Sequence, residues 1–152
     1  MLRPLALLAA GFACGPAFAQ SEDDLPIPVQ ARQGHMSAYA HHLGALGAMA
    51  KGDVAYDAGM ASAHAAELAA LAGLAQTGYW VEGTSSVELE GSRALPAIWE
   101  DMADFETKMD ELHQAAMALE SAAGEGAEQL QAAFGPVGGS CGACHRVYRA
   151  EE

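Results

Sequence analysis

The chain has 152 residues, a formal net charge of −13 and 51% hydrophobic residues. This length suits a single domain with a core of its own. So acidic a surface repels nucleic acid and anionic lipid, which argues against a nucleic-acid-binding protein and favours partners with a basic surface.

The first 19 residues have the pattern of a secretory signal peptide. Arg3 gives a positive start, a short apolar run follows, and Ala17, Phe18 and Ala19 form a small-x-small cleavage pattern. The apolar run is too short for a transmembrane helix. We therefore predict export to the periplasm, with cleavage after Ala19.

Residues 20–28 are predicted to form a flexible leader, because Pro26 and Pro28 disfavour a helix and the acidic residues repel one another. A domain is expected over 29–152. Its first helix should run from about 29 to 50, where Met36 lies on a stripe of small and apolar residues that recurs every three or four positions.

The first helix also carries a second stripe, which we expect to contact another subunit because the Met36 stripe already serves the core. This second stripe consists of His35, Tyr39, His42, Leu46 and Met49.

Three more helices are expected. One spans about 56–76, and a loop over 77–93 separates it from a third helix in which apolar residues recur in a 4-3 rhythm from Ile98 to Leu119. The last contains Pro136, yet its apolar residues keep helical phase from Leu130 to Tyr148, which favours one helix bent near the proline. Together they predict an all-α, antiparallel four-helix bundle.

The motif "CGACH" in the last helix places Cys141 and Cys144 three residues apart, with His145 directly after. Residues three apart share one face of a helix, so both thiols could reach the edge of one flat macrocycle. C-x-x-C-H is typical of c-type haem attachment, in which two thioethers hold the ring and the histidine binds iron. Cys14 leaves with the signal peptide, so the motif contains both remaining cysteines.

Three other interpretations of the two cysteines are weaker. A zinc site needs a fourth ligand and usually a second paired motif. A dithiol redox pair normally lies at a helix start beside a sheet. A disulfide between residues three apart would constrain almost nothing in the unfolded chain.

The whole pattern resembles the class II c-type cytochromes, the cytochrome c′ family. The resemblance covers nearly all of 29–151 and is carried by "ARQGHM", "YDAG", "GTSS", "RALPAIWEDMADF" and "LQAAFGPVGGSCGACHRVYR". It implies one covalent haem c between the helices, joined to Cys141 and Cys144, with His145 as axial ligand. It also implies a homodimer.

The resemblance further implies that Arg32 and Gln33 lie beside the haem propionates. The loop of Thr84 is expected near the ring, and Arg149 is expected to flank the proximal ligand. The plainer interpretations are a charge on a helix face for Arg32 and a solvated surface residue for Arg149.

In some such proteins a methionine near the position of Met36 ligates the iron, and in others the same region supplies a bulky side chain that merely covers an open site. The first case suits a periplasmic electron carrier, which is our main prediction. The second suits a five-coordinate protein that binds nitric oxide or carbon monoxide. No catalytic triad or phosphate loop is evident, so we predict no enzyme.

The remaining histidines are expected on different faces, at the surface or at an interface, rather than in a metal site. They are His35, His41, His42, His64 and His113.

Overall fold

The computed structural model describes residues 25–151. Its helices are α1 (Ile27–Lys51), α2 (Ala58–Ala72), α3 (Ala97–Glu100), α4 (Met102–Ala123) and α5 (Ala127–Tyr148). The described part contains no strand, only an isolated antiparallel bridge between Ala94 and Arg149. None of its helices is long and apolar enough to cross a membrane. The predicted signal peptide and most of the predicted leader lie outside the described residues.

The four long helices form a closed ring. Helix α1 packs against α2 and α5, and α4 packs against the same two helices. Short turns join α1 to α2 and α4 to α5, which is the geometry of antiparallel neighbours. The antiparallel four-helix bundle is therefore confirmed.

Three helices differ from the prediction. Helix α2 ends at Ala72, before the predicted end near residue 76, and Gly73 follows it. Helix α1 begins at Ile27, with Pro28 in its first turn. The N–H groups of the first turn make no hydrogen bond within the helix, so a proline, which lacks an N–H, is tolerated there. The predicted leader therefore ends before residue 27. The third predicted helix is divided at Asp101, whose backbone is not helical (φ −139°, ψ 69°) and whose side chain accepts a hydrogen bond from the N–H of Asp104.

Helix α5 runs without a break through Pro136, as predicted. Pro136 and Ala132, whose carbonyl loses its helical donor, are both exposed, so water can hydrogen-bond to that carbonyl. Upstream of the proline, Phe134 lies against α1. A Cβ at Gly47 would come within 3.0 Å of the Phe134 ring, so glycine permits this close approach. The bend at Pro136 stays a prediction.

Four of the five residues in the stripe on α1 that was expected to meet another subunit are instead buried within the protein, and the fifth, His42, is half-buried. Tyr39, Leu46 and Met49 are buried in the main hydrophobic cluster with residues of α2, α4 and α5. His35 is also buried, with its Nε2 3.1 Å from the carbonyl oxygen of Leu71. That expectation was wrong because α1 buries two neighbouring faces, one in this core and one, around Met36, at a cavity.

Candidate haem site

The two cysteines of α5 lie where two hydrophobic clusters meet. Cys141 packs against the main core, and Cys144 packs against a second cluster of Ile98, Phe105 and Tyr148. Both are half-buried free thiols. Burial raises the pKa of each thiol, and that of Cys144 reaches about 11 because the charge of Cys141 adds to the effect.

His145 is half-buried and lines a cavity next to Cys144. Burial lowers the pKa of its imidazole, and the positive charges of Arg149 and Arg93 lower it further. The neutral form is therefore favoured at neutral pH, and this is the form that ligates iron.

The cavity has a volume of about 700 Å³, is open to solvent on one side and is lined by α1, the 77–95 segment, α3, α4 and the end of α5. Its polar, aromatic and sulfur-containing lining residues are Arg32, Gln33, Met36, Ser37, Trp80, Glu90, Arg93, Phe105, Met109, Cys144, His145, Tyr148 and Arg149. The structure thus brings Arg32, Gln33 and Met36 of α1 to one cavity with Cys144 and His145 of α5. Cys141 is not part of the lining and packs against the main core instead.

Arg32 is the buried cation of this cavity, with only 4% of its surface exposed. Its guanidinium donates to Thr84 Oγ1 at 2.9 Å, to the Thr84 carbonyl at 2.6 Å and to Ser92 Oγ at 2.8 Å. It also lies over the Trp80 ring, 5.2 Å from the centroid. Within the described residues it forms no ion pair with a carboxylate, so its charge is available to an anionic group in the cavity.

The other residues implied by the resemblance take different positions. Gln33 lines the cavity and donates from Nε2 to the carbonyl of Gly91 at 2.8 Å. Thr84 is not part of the lining but lies behind Arg32 and holds it. Arg149 is exposed and also borders the cavity, so it is a solvated residue beside His145.

Among the lining residues that sequence reasoning did not assign to the site are Trp80 and Arg93. Trp80 lies edge-on to Phe105, with the ring centroids 4.7 Å apart. Arg93 donates to the carbonyl of Ala150 at 2.8 Å. The sequence signal that could have found them is a tryptophan and an arginine near the two ends of a loop whose other residues are mostly small or acidic.

The end of α5 is bound to the segment before α3. The N–H of Leu95 donates to the carbonyl of Tyr148 at 3.0 Å, and the N–H of Ala150 donates to that of Arg93 at 2.9 Å. These bonds accompany the bridge of Ala94 with Arg149 and fix the chain on both sides of the helix end that follows His145.

Tyr148 provides a test of this packing through pH. Its hydroxyl donates to Asp104 Oδ2 at 2.7 Å, and this bond, together with burial, raises the pKa of Tyr148 to about 12. The folded state thus favours the protonated phenol. This contribution to stability is complete below the ordinary pKa of about 10 and is lost as the pH rises towards 12. We expect Tyr148→Phe to make denaturant-induced unfolding less sensitive to pH between 9 and 12.

Tyr56→Phe is the matched control, because its hydroxyl donates to the carbonyl of Ala123 and not to a carboxylate. We expect the control to keep the alkaline loss of stability. Equal pH profiles for the Tyr148→Phe variant and the unmutated protein would contradict this account.

A four-helix bundle whose last helix carries C-x-x-C-H beside a cavity defines a c-type cytochrome of the bundle class. Comparisons with known proteins agree. The family described as Cytochrome C′ matches residues 27–149. A cytochrome c′ from Cereibacter sphaeroides is 42% identical over 143 residues, covering 94% of this chain and 95% of the relative. A cytochrome c-554 from the same organism is 39% identical over 153 residues, covering 99% and 100%.

Solved structures show the same likeness. A cytochrome c′ described as from Rhodobacter spheriodes superposes with a TM-score of 0.81 at 39% identity, covering 88% of this chain and 100% of that one. A nitric oxide complex of a cytochrome c prime mutant from Alcaligenes xylosoxidans gives 0.70 at 35% identity, covering 82% and 94%. This chain therefore belongs to the cytochrome c′ family, whose members bind one covalent haem c.

Proposed function

We propose that this protein is a periplasmic monohaem electron carrier. Cys141 and Cys144 hold the haem covalently, and His145 is its axial ligand. One observation carries the proposal. The half-buried imidazole of His145, which is neutral because its pKa is lowered, and the thiol of Cys144 line the same cavity, whose volume is within the usual range of cofactor sites. When bound, haem supplies a one-electron couple whose potential the protein tunes through axial ligands, burial and nearby charge.

The charge of the cavity supports this proposal. Its lining carries Arg32, Arg93 and Arg149 against one carboxylate, Glu90, although the chain has only seven lysines and arginines and 20 acidic residues. Such a local excess of positive charge suits the two propionates of a haem. Gln33, with its amide fixed to the loop, is a further polar neighbour for them.

Met36 is our candidate for the second axial ligand. The thioethers of Met36 and Met109 both line the cavity. Met109 packs in the same cluster as Cys144, whereas Met36 comes from α1 and packs against the main core. Both methionines thus come from helices other than α5, which carries His145, and the family resemblance favours the one on the first helix, Met36. Thioether ligation would raise the potential and close the iron to gases, as suits an electron carrier.

The test is the optical and magnetic spectrum of the purified ferric and ferrous protein, with Met36→Ala and Met109→Ala compared. We expect a low-spin spectrum that becomes high-spin in Met36→Ala and stays low-spin in Met109→Ala. A high-spin spectrum in the unmutated protein would rule out ligation by Met36.

Gas binding is the second candidate, and one observation favours it. Solved neighbours at 34–35% identity include a nitric oxide complex and a carbon monoxide complex of cytochrome c prime variants from Alcaligenes xylosoxidans. In this alternative, Met36 covers an open iron face without binding it. A high-spin ferrous protein that binds carbon monoxide would support this function over the first.

The net charge and the N-terminal sequence indicate where the proposed carrier acts and what it binds. We infer export by the signal peptide and docking to redox partners through a basic surface, since the chain is strongly acidic. From the family resemblance we also infer a homodimer, and we propose that the protein carries electrons without catalysing a reaction of its own.

A further inference from the structure

Three histidines predicted to lie apart converge on the outside of the α1–α2 pair. His41 and His42 belong to α1, and His64 belongs to α2. One ligand nitrogen from each lies within 4.8 Å of the other two. His41 is exposed and the other two are half-buried, so the cluster is open to solvent but held by the helices.

The distances within the cluster are close to those of a metal site. The Nδ1 atoms of His42 and His64 are 3.0 Å apart, and Glu67 Oε2 lies 3.3 Å from the same nitrogen of His42. Zinc–nitrogen bonds of about 2.0–2.1 Å in a tetrahedral site place pairs of ligand atoms roughly 3.3 Å apart. The ligand nitrogens of the three histidines lie within 4.8 Å of one another, and Glu67 has its contact with His42, so His41 and Glu67 would have to move closer to complete such a set.

The hydrogen bond between His42 and His64 does not by itself account for the cluster. It needs one nitrogen with a proton and one without, and it does not involve His41, whose ring packs edge-on against His42 and His64. Three imidazoles and a carboxylate are, however, a complete ligand set for a tetrahedral cation. The acidic chain also raises the local concentration of divalent cations.

We propose that His41, His42, His64 and Glu67 form a second metal site, separate from the haem cavity, for a divalent transition metal of the kind that prefers imidazole, such as Zn²⁺. None of the four lines the cavity. The site joins α1 to α2 across their packed interface, so a bound ion acts as a cross-link between the two helices. Because the ion binds the folded state and not the unfolded chain, its binding stabilises the bundle.

The experiment is a zinc titration of the haem-loaded protein, produced without a histidine tag and freed of metal with a chelator. Calorimetry should give one Zn²⁺ per chain, and the melting temperature should rise with added Zn²⁺ but not with Mg²⁺, which prefers oxygen ligands. The haem absorption spectrum should not change. Native mass spectrometry gives the stoichiometry independently.

Variants identify the ligands. The double variant His42→Gln, His64→Gln should lose the zinc-dependent rise in melting temperature. His113→Gln should keep it, because His113 lies on α4 outside the cluster. Unchanged zinc affinity in the double variant would overturn the proposal. Half a zinc ion per chain in a metal-bridged dimer would overturn it too, since the ion would then join two copies.

Discussion

Cys144→Ala is expected to prevent normal double thioether attachment and to lower the yield of haem-loaded protein sharply. The reason is geometric, because Cys141 and Cys144 are the half-buried thiols of one helix and only the pair can fix the ring at two points. Mass spectrometry of the exported protein, made together with haem-maturation machinery, measures the result. The unmutated protein should show its mature mass plus one haem.

Cys14→Ala is the matched control for this experiment. Cys14 lies in the predicted signal peptide, so its replacement should leave the mature mass unchanged. A mature, unmutated protein without added haem would contradict the attachment proposal as a whole. Full loading of Cys144→Ala would contradict the role of that thiol.

Arg32→Ala is expected to lower the free energy of unfolding of the haem-loaded protein by about 2–4 kcal/mol. The guanidinium holds Thr84 and Ser92 together and covers the Trp80 ring, so its removal leaves buried acceptors with fewer partners and a space beside the indole. Denaturant-induced unfolding measures the loss. The haem potential should fall as well, because a positive charge near a haem disfavours the ferric state.

Two further variants separate the effect of the Arg32 charge from the effect of its hydrogen bonds. Arg32→Lys keeps the charge but not the planar fork of donors, so it should restore most of the potential and less of the stability. Arg146→Ala removes an exposed arginine of α5 and should change stability by no more than about 0.5 kcal/mol. A loss for Arg32→Ala as small as that of Arg146→Ala would show that the buried network contributes little.

The bundle and the haem motif could be predicted because their signals are local. Apolar residues in helical phase indicate a helix wherever the chain lies, and this phase correctly carried α5 through Pro136. The position of the motif relative to helical phase likewise predicted that Cys141 and Cys144 share a face. The break at Asp101 was missed, because an aspartate can lie within a helix or begin one and the apolar rhythm continues across it.

Contacts between distant segments could not be predicted in the same way. His64 meets His42 only through the register of α2 against α1, which no pattern within either helix fixes. The hydrogen bond of Arg32 to Ser92 joins residues 60 positions apart, through a loop without periodicity. The wrong expectation that the stripe of His35 meets another subunit has the same origin. Helical phase shows which residues share a face of α1 but not how many of its faces pack against other helices.

The backbone bonds between residues 93–95 and the end of α5 bear on local opening. A terminal helical turn normally frays first and exchanges its amide hydrogens early. Here the Ala150 and Leu95 amides are paired across the two segments, so the turn of His145 can open only when the loop detaches as well. Motion of His145, the proposed axial ligand, is thereby coupled to opening of the whole unit formed by the end of α5 and residues 93–95. We also expect a carboxypeptidase to slow down when it reaches the paired residues.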